Sequence, residues 1–424
     1  MTYEEFLHQK KRVTLESGFD VPAEKIHPLL FDFQNYAVRK ALKFGRYALF
    51  EECGLGKTLQ QLEWARHVVQ STNEHVLILA PLGVTGQTIK EAQKLGIDVA
   101  KYGTRKADSK IYITNYEQIE NIDPAIFSGI VLDESSILKN FEGSTKKKIL
   151  SLFKMMPYKL ACTATPSPND DMEICNHAEF LGHGRREEIL AMYFTHDGGE
   201  TATWRLKGYA EKLFWNFVKS WSLFISNPSD VGFDGSKFEL PKLNLIERMI
   251  AAPVADGRLF NDINVSATNF NQELRNTMKL RIRETVDIVN NSPESFLIWC
   301  KQNPESKTLA DQIDGAVEVT GSEAPEAKEE KLLAFASGQI HRLVTKTKIA
   351  GFGLNYQNCH NHVHCSFDFS FEALYQSIRR SYRFGQKYPV NVWLVTTDSM
   401  RNVIQSIKEK QEQFEQMKYH LTLN

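Results

Sequence analysis

The stretch Glu51-Glu52-Cys53-Gly54-Leu55-Gly56-Lys57-Thr58-Leu59-Gln60 lies between an apolar run and a helical pattern. Ahead of it, Tyr47-Ala48-Leu49-Phe50 reads as a buried strand; beyond it, Leu59, Leu62, Ala65 and Val69 recur at helical spacing. Strand, glycine-rich turn and helix together make a phosphate cradle. Glycines let backbone amides close around the anion, and the helix N-terminus adds unpaired N–H groups and the positive end of its dipole. Gly54 and Gly56 shape the turn, Lys57 is expected on the terminal phosphates, and the Thr58 hydroxyl on Mg²⁺. Glu51 takes the first position of the strict G-x-x-x-x-G-K-T pattern, so only the tighter Gly54-x-Gly56-Lys57-Thr58 form is present.

Upstream, His27 to Gln34 leads into a helical stretch, Asn35 to Phe44, ending near Gly45. Gln34 offers both a donor and an acceptor, as reading an adenine edge requires; alone it would read as a helix-start residue, and its place ahead of a phosphate loop is what favours the adenine role. Downstream, His75–Ala80, Ile111–Ile113, Ile130–Leu132 and Tyr158–Cys162 are apolar runs separated by helical patterns. That alternation predicts a parallel sheet covered on both faces, with ligands at the carboxyl ends of its strands. At those ends stand Pro81 and the polar groups Thr114-Asn115, Asp133-Glu134 and Thr163-Ala164-Thr165-Pro166. Asp133-Glu134 alone would read as a strand-end turn with a capping Asp. In a chain with a phosphate loop the pair suits divided labour: Asp133 in the Mg²⁺ shell, Glu134 orienting and deprotonating the attacking water.

These motifs resemble the superfamily-2 helicases, and within them the Swi/Snf-type double-stranded DNA translocases in a compact phage- or bacterial-like form. Asp133-Glu134-Ser135-Ser136-Ile137-Leu138-Lys139-Asn140 parallels that family's Asp-Glu-Ala-His-Arg-x-Lys-Asn, with Ser136 in place of the His. Gln34 and Cys53-Gly54-Leu55-Gly56-Lys57-Thr58 match its adenine-reading glutamine and its phosphate loop. Thr163-Ala164-Thr165-Pro166, followed by Asn169, resembles the motif that couples hydrolysis to movement. Thr345 to Tyr356, with Gly351-Phe352-Gly353-Leu354-Asn355, resembles the fifth motif. Gln376-Ser377-Ile378-Arg379-Arg380-Ser381-Tyr382-Arg383-Phe384-Gly385-Gln386 resembles the sixth.

The resemblance implies an α/β fold of two recombinase-like lobes, each a mainly parallel sheet flanked by helices, with a helical insertion between them and ATP in the inter-lobe cleft. The expected divisions are 1–182 for lobe one, 183–250 for the insertion, 251–271 for a linker and 272–424 for lobe two. It implies Lys57, Asp133, Glu134, Arg380 and Arg383 as catalytic residues, with Gln34, Gly54, Gly56, Thr58 and Gly353 on ATP. Thr163, Thr165 and Gln376 would couple hydrolysis to movement, and Pro81, Thr114, Asn115 and Thr345 would touch nucleic-acid phosphates without reading sequence. Arg380 and Arg383 are three apart, so on a helix they would share a face and reach one triphosphate together. Arg379 is assigned no role.

The length of 424 residues fits two or three domains, and 42% hydrophobic with 24% charged residues is ordinary for a globular protein. Lys plus Arg, 51, nearly balances Asp plus Glu, 52, so a polyanion must meet a local basic surface. The N-terminus carries no export signal and no run is long enough to span a membrane, so a bacterial or phage-infected host cytoplasm is expected. The six cysteines are expected as free thiols. Trp204, Trp215, Phe217, Trp221 and Phe224 recur at helical spacing and are expected in a core rather than on a base-stacking surface. The run Cys359-His360-Asn361-His362-Val363-His364-Cys365 is expected to pack in a strand rather than to bind zinc.

The leading expectation is an ATP-dependent helicase or translocase, monomeric, moving on nucleic acid, with duplex DNA as the expected track and any protein partner left open. Two alternatives differ in class: a nucleotide-gated clamp that hydrolyses slowly and recruits a partner, and a phosphate-loop kinase acting on a small molecule.

Overall fold

The computed structural model describes residues 14–104, 109–139, 143–197, 200–252, 265–266, 269–347, 349 and 354–422. The chain forms two compact units, Met1–Gly235 together with Gln413–Asn424, and Ser236–Glu412. The segment 183–250 is thereby shared between both units, and most of 251–271 lies outside the described residues.

In the first unit the apolar runs become strands: β1 (Arg46–Glu51), β2 (His75–Ala80), β3 (Val99–Lys101), β4 (Ile111–Asn115), β5 (Phe127–Asp133) and β6 (Tyr158–Thr163). A hairpin, β7 (Phe194–Asp197) with β8 (Glu200–Leu206), stands apart, and β9 (Ser222–Ile225) completes a seven-stranded sheet ordered β3-β4-β2-β5-β6-β1-β9. Every pairing in that sheet is parallel. Because β5, β6 and β1 are neighbours, Asp133, Thr163 and Glu51 all end on one edge of the sheet. Helix α1 (Asp32–Phe44) runs into β1 through Gly45, whose φ of 71° is the left-handed turn a glycine adopts without penalty. Helix α2 (Lys57–Thr72) leaves β1 and buries Leu62, Trp64, Ala65 and Val68. Trp215, Phe217 and Trp221 of helix α3 (Glu211–Trp221) and Phe224 of β9 are all buried, so they serve the core.

The second unit holds β10 (Leu243–Ile250), β11 (Phe296–Trp299), β12 (Ala316–Glu318), β13 (Arg342–Thr345), β14 (Asn361–His364) and β15 (Val390–Thr397). They form a parallel sheet ordered β10-β15-β14-β11-β13-β12. Beneath β11 and β14 the buried Arg281 guanidinium reaches the carboxylate of Glu305 at 2.5 Å and the carbonyls of Cys365 and Leu274 at 2.6 Å each. These acceptors offset the cost of burying the charge.

His362 and His364 share one face of β14 and stack on Trp299, whose indole N–H donates to His362 Nδ1 at 3.1 Å. Cys365 Sγ lies against the Glu305 carboxylate at 3.5 Å. Burial holds the His362 pKa down to about 3 and pushes His364 well below the ordinary value. Protonating His362 at Nδ1 would also aim two N–H groups at each other. Both histidines bind protons more readily in the unfolded chain, so their stabilising contribution is complete above about pH 6.5 and is lost as pH falls from there towards 3. The measurable consequence is the pH dependence of unfolding between pH 6.5 and 4. In the variant His362→Gln, calorimetry should find the slope of stability against pH smaller by about one proton, close to 1.4 kcal/mol per pH unit.

Candidate active site

The loop after β1 turns on two glycines with left-handed backbones, Gly54 at φ 95° and Gly56 at φ 80°. Gly56 also has no room for a side chain, since a Cβ there would lie 2.3 Å from Gln34 Nε2. That amide nitrogen donates to the Leu55 carbonyl at 2.6 Å, and Gln34 Oε1 accepts from the Phe31 N–H at 2.9 Å. Gln34 thus ties the start of α1 to the loop. Lys57 Nζ donates to the carbonyls of Glu51 at 2.7 Å and Glu52 at 3.2 Å. Burial disfavours its charge, but Cys53, Glu134, Glu51 and Asp133 outweigh that and raise its pKa. An ammonium hydrogen-bonded to backbone carbonyls is ready to exchange them for phosphate oxygens.

At the end of β5, Asp133 Oδ1 accepts from Gln61 Nε2 at 2.7 Å, and the Asp133 carbonyl accepts from the Tyr116 hydroxyl at 2.6 Å. Glu134 follows with φ 53°, one of two non-glycine residues with positive φ among those described. A strained backbone of this kind costs about 1–3 kcal/mol and persists where surrounding contacts fix it. Thr163 Oγ1 lies 3.4 Å from Glu134 Oε2 and accepts from the Thr165 N–H at 3.1 Å. The two threonines and the carboxylate therefore form one polar chain between the ends of β5 and β6. Ser136, which stands where the resembling family has a histidine, is buried. Its neighbour Ser135 meets His177 instead, Oγ to Nε2 at 3.1 Å, and burial holds the His177 pKa down to about 3, so the ring is neutral.

In the second unit, Gln376 lies on helix α4 (Phe371–Ile378), with Nε2 donating to Glu372 Oε1 at 3.3 Å. The helical face expected for Arg380 and Arg383 does not form, because α4 ends at Ile378. The Arg380 carbonyl accepts from the Tyr356 N–H at 2.8 Å, which takes it out of a helical ladder, and Gly385 turns the chain with φ 91°. Arg383 Nη1 bonds Asn355 Oδ1, joining the fifth and sixth motifs. Gly353 lies outside the described residues. Of the four residues expected on nucleic acid, Pro81 is half-buried, whereas Thr114, Asn115 and Thr345 are buried. The Thr345 hydroxyl is taken up by the Val319 carbonyl at 3.2 Å.

Residues 280–385 match the family described as helicase conserved C-terminal domain. Among curated proteins, "Putative ATP-dependent helicase/translocase YwqA" of Bacillus subtilis (strain 168) is 26% identical over 198 residues, 40% of this chain and 21% of that protein. Over these residues the chain is similar to helicases. The chain spans about a fifth of the length of the curated relative it matches (21%). Among solved structures, the Sulfolobus solfataricus SWI2/SNF2 ATPase core in complex with dsDNA aligns over 96% of both chains, with 17% identity and a TM-score of 0.45.

The motifs that carry the resemblance do not account for every residue around the loop. Gln60 Nε2 donates to Glu51 Oε2 at 2.6 Å, and burial lifts the Glu51 carboxyl to about 7. Gln60, Gln61 and His177 escaped sequence reading. Their signal was polarity at positions of α2 and of the helix Ile174–Leu181 that face a sheet, where apolar residues are the rule.

Proposed function

We propose that this chain is an ATP-dependent translocase of nucleic acid, acting on duplex DNA by the resemblance of its motifs. The observation that carries the reading is in the first unit. There the glycine loop with Lys57, the Asp133-Glu134 pair and the Thr163-Thr165 chain all end on one edge of a parallel sheet. Lys57 and the loop amides would bind the triphosphate, Gln34 the base, and Glu134 would orient the attacking water and take its proton. Arg380 and Arg383 are the proposed guanidinium donors to the charge that develops on the phosphoryl oxygens.

The donor chemistry fits Mg²⁺. The Thr58 hydroxyl at the start of α2 and the buried Asp133 carboxylate at the end of β5 are hard oxygen ligands, which this ion favours. Bound there, the ion would neutralise phosphate charge. Thr163 and Thr165, which tie Glu134 to the end of β6, would pass the state of the nucleotide into the sheet, with Gln376 as the proposed counterpart in the second unit. Of the four residues expected on nucleic acid, the half-buried Pro81 is the proposed contact; the burial of Thr114, Asn115 and Thr345 gives them no exposed side chain for that role. The proposed setting is a cytoplasm and the working form a monomer. Among the described residues no helix is long and apolar enough to cross a membrane.

The test is steady-state ATP hydrolysis with no nucleic acid, single-stranded DNA, duplex DNA and RNA. Stimulation of at least about tenfold by duplex, roughly 1.4 kcal/mol of barrier, is the expected result. Equal rates in all four conditions would overturn the reading.

A further inference from the structure

The final helix, α5 (Arg401–Thr422), ends in residues that belong to the first unit. Phe414, Met417 and Leu421 fall on one helical face and are buried. His420 stacks on Trp215 of α3, ring centroids 5.5 Å apart and 5° from parallel, and its Nε2 lies 3.0 Å from Glu211. This packing sets the last turns of α5 against the unit and carries Lys418 to the phosphate loop. Lys418 Nζ lies 2.9 Å from Glu52 Oε1, at ion-pair distance though off the hydrogen-bond direction, with the two side chains only 14% and 6% exposed. The same ammonium lies 3.1 Å from Glu415 and 4.9 Å above the Phe414 ring.

Glu52 is a junction of the loop. Its N–H donates to the Ile225 carbonyl at the end of β9 at 2.9 Å, and its own carbonyl accepts from Lys57 Nζ. Its carboxylate meets a cation from a residue 366 positions later in the chain. We propose that Lys418 is a positioning residue for the phosphate loop: it holds the Glu52 carboxylate to the end of α5 and so sets nucleotide affinity. Without Lys418 the buried Glu52 carboxylate loses the ammonium that lies 2.9 Å from it. Its uncompensated charge then opposes the approach of a triphosphate to the loop, a cost that falls on binding rather than on the chemical step. The proposal rests on the reading of this loop as the ATP site.

The experiment uses the full chain as wild type, Lys418→Ala, Lys418→Gln and Lys418→Arg, with Lys57→Ala as the binding-defective reference. Binding of a fluorescent ADP analogue is measured beside KM and kcat for ATP and a melting curve. Lys418→Ala and Lys418→Gln should weaken ADP binding and raise KM by about five- to tenfold with kcat within about twofold, while Lys418→Arg stays near wild type. Unchanged affinity in Lys418→Ala and Lys418→Gln, with wild type binding normally, would overturn the proposal and leave the ATP reading standing. An equal loss in Lys418→Arg would also overturn it, since the charge is kept there. Failure of the wild type itself to bind the analogue would remove the ATP reading and this proposal with it.

Discussion

Lys57→Ala should abolish ATP turnover, lowering kcat/KM by about 10²–10³-fold, because it deletes a charge-assisted contact to the phosphates worth roughly 3–4 kcal/mol in a desolvated site. The surroundings make this the most exposed point of the account. Among the described residues Lys57 donates hydrogen bonds to the carbonyls of Glu51 and Glu52, both in its own loop region. The neighbouring Cys53, Glu134, Glu51 and Asp133 keep it charged, and alanine cannot stand in for that charge. Nucleotide affinity, read by titration calorimetry with ADP, should fall alongside turnover, while the melting temperature stays close to that of wild type. Turnover that persisted at the wild-type rate would mean that the phosphates are held elsewhere.

Glu134→Gln separates chemistry from binding. The amide is nearly the same shape as the carboxylate, keeps an oxygen for the Thr163 hydroxyl at 3.4 Å and places no new demand on the backbone at φ 53°. What it cannot do is accept the proton of the attacking water. The kcat should therefore fall by about 10²–10⁴-fold, the range for loss of a general base, with ATP affinity within about threefold of wild type. Single-turnover quench flow tests this directly. A loss seen only in KM would assign Glu134 to binding and leave the general base unidentified.

Local order was legible in the sequence, and long-range partnership was not. The runs at His75–Ala80, Ile130–Leu132 and Tyr158–Cys162 became central strands because a strand buried on both faces must be continuously apolar. β10 escaped notice for the opposite reason. Leu243-Asn244-Leu245-Ile246-Glu247-Arg248-Met249-Ile250 is an edge strand, largely exposed, and it pairs with β15 across nearly 150 residues of chain, Leu243 opposite Val390. The arginine pair shows a second limit. Three-residue spacing implies one helical face only while the helix lasts, and the hydrogen bond from Tyr356 to the Arg380 carbonyl is a tertiary contact that spacing does not contain. The same holds for Glu52 with Lys418. Each alone is an ordinary surface charge in the sequence, and only the buried stripe of α5 brings them together.

The measurement that bears most directly on the central claim is ATP-driven displacement of a third strand from a DNA triplex. The third strand lies in the major groove, so removing it requires movement along the duplex and not separation of the two duplex strands. The account predicts displacement that needs hydrolysable ATP, scales with ATPase rate and is lost in Glu134→Gln. If the third strand stays bound while ATP is hydrolysed and still alters duplex affinity, the chain is a nucleotide-gated clamp and not a motor.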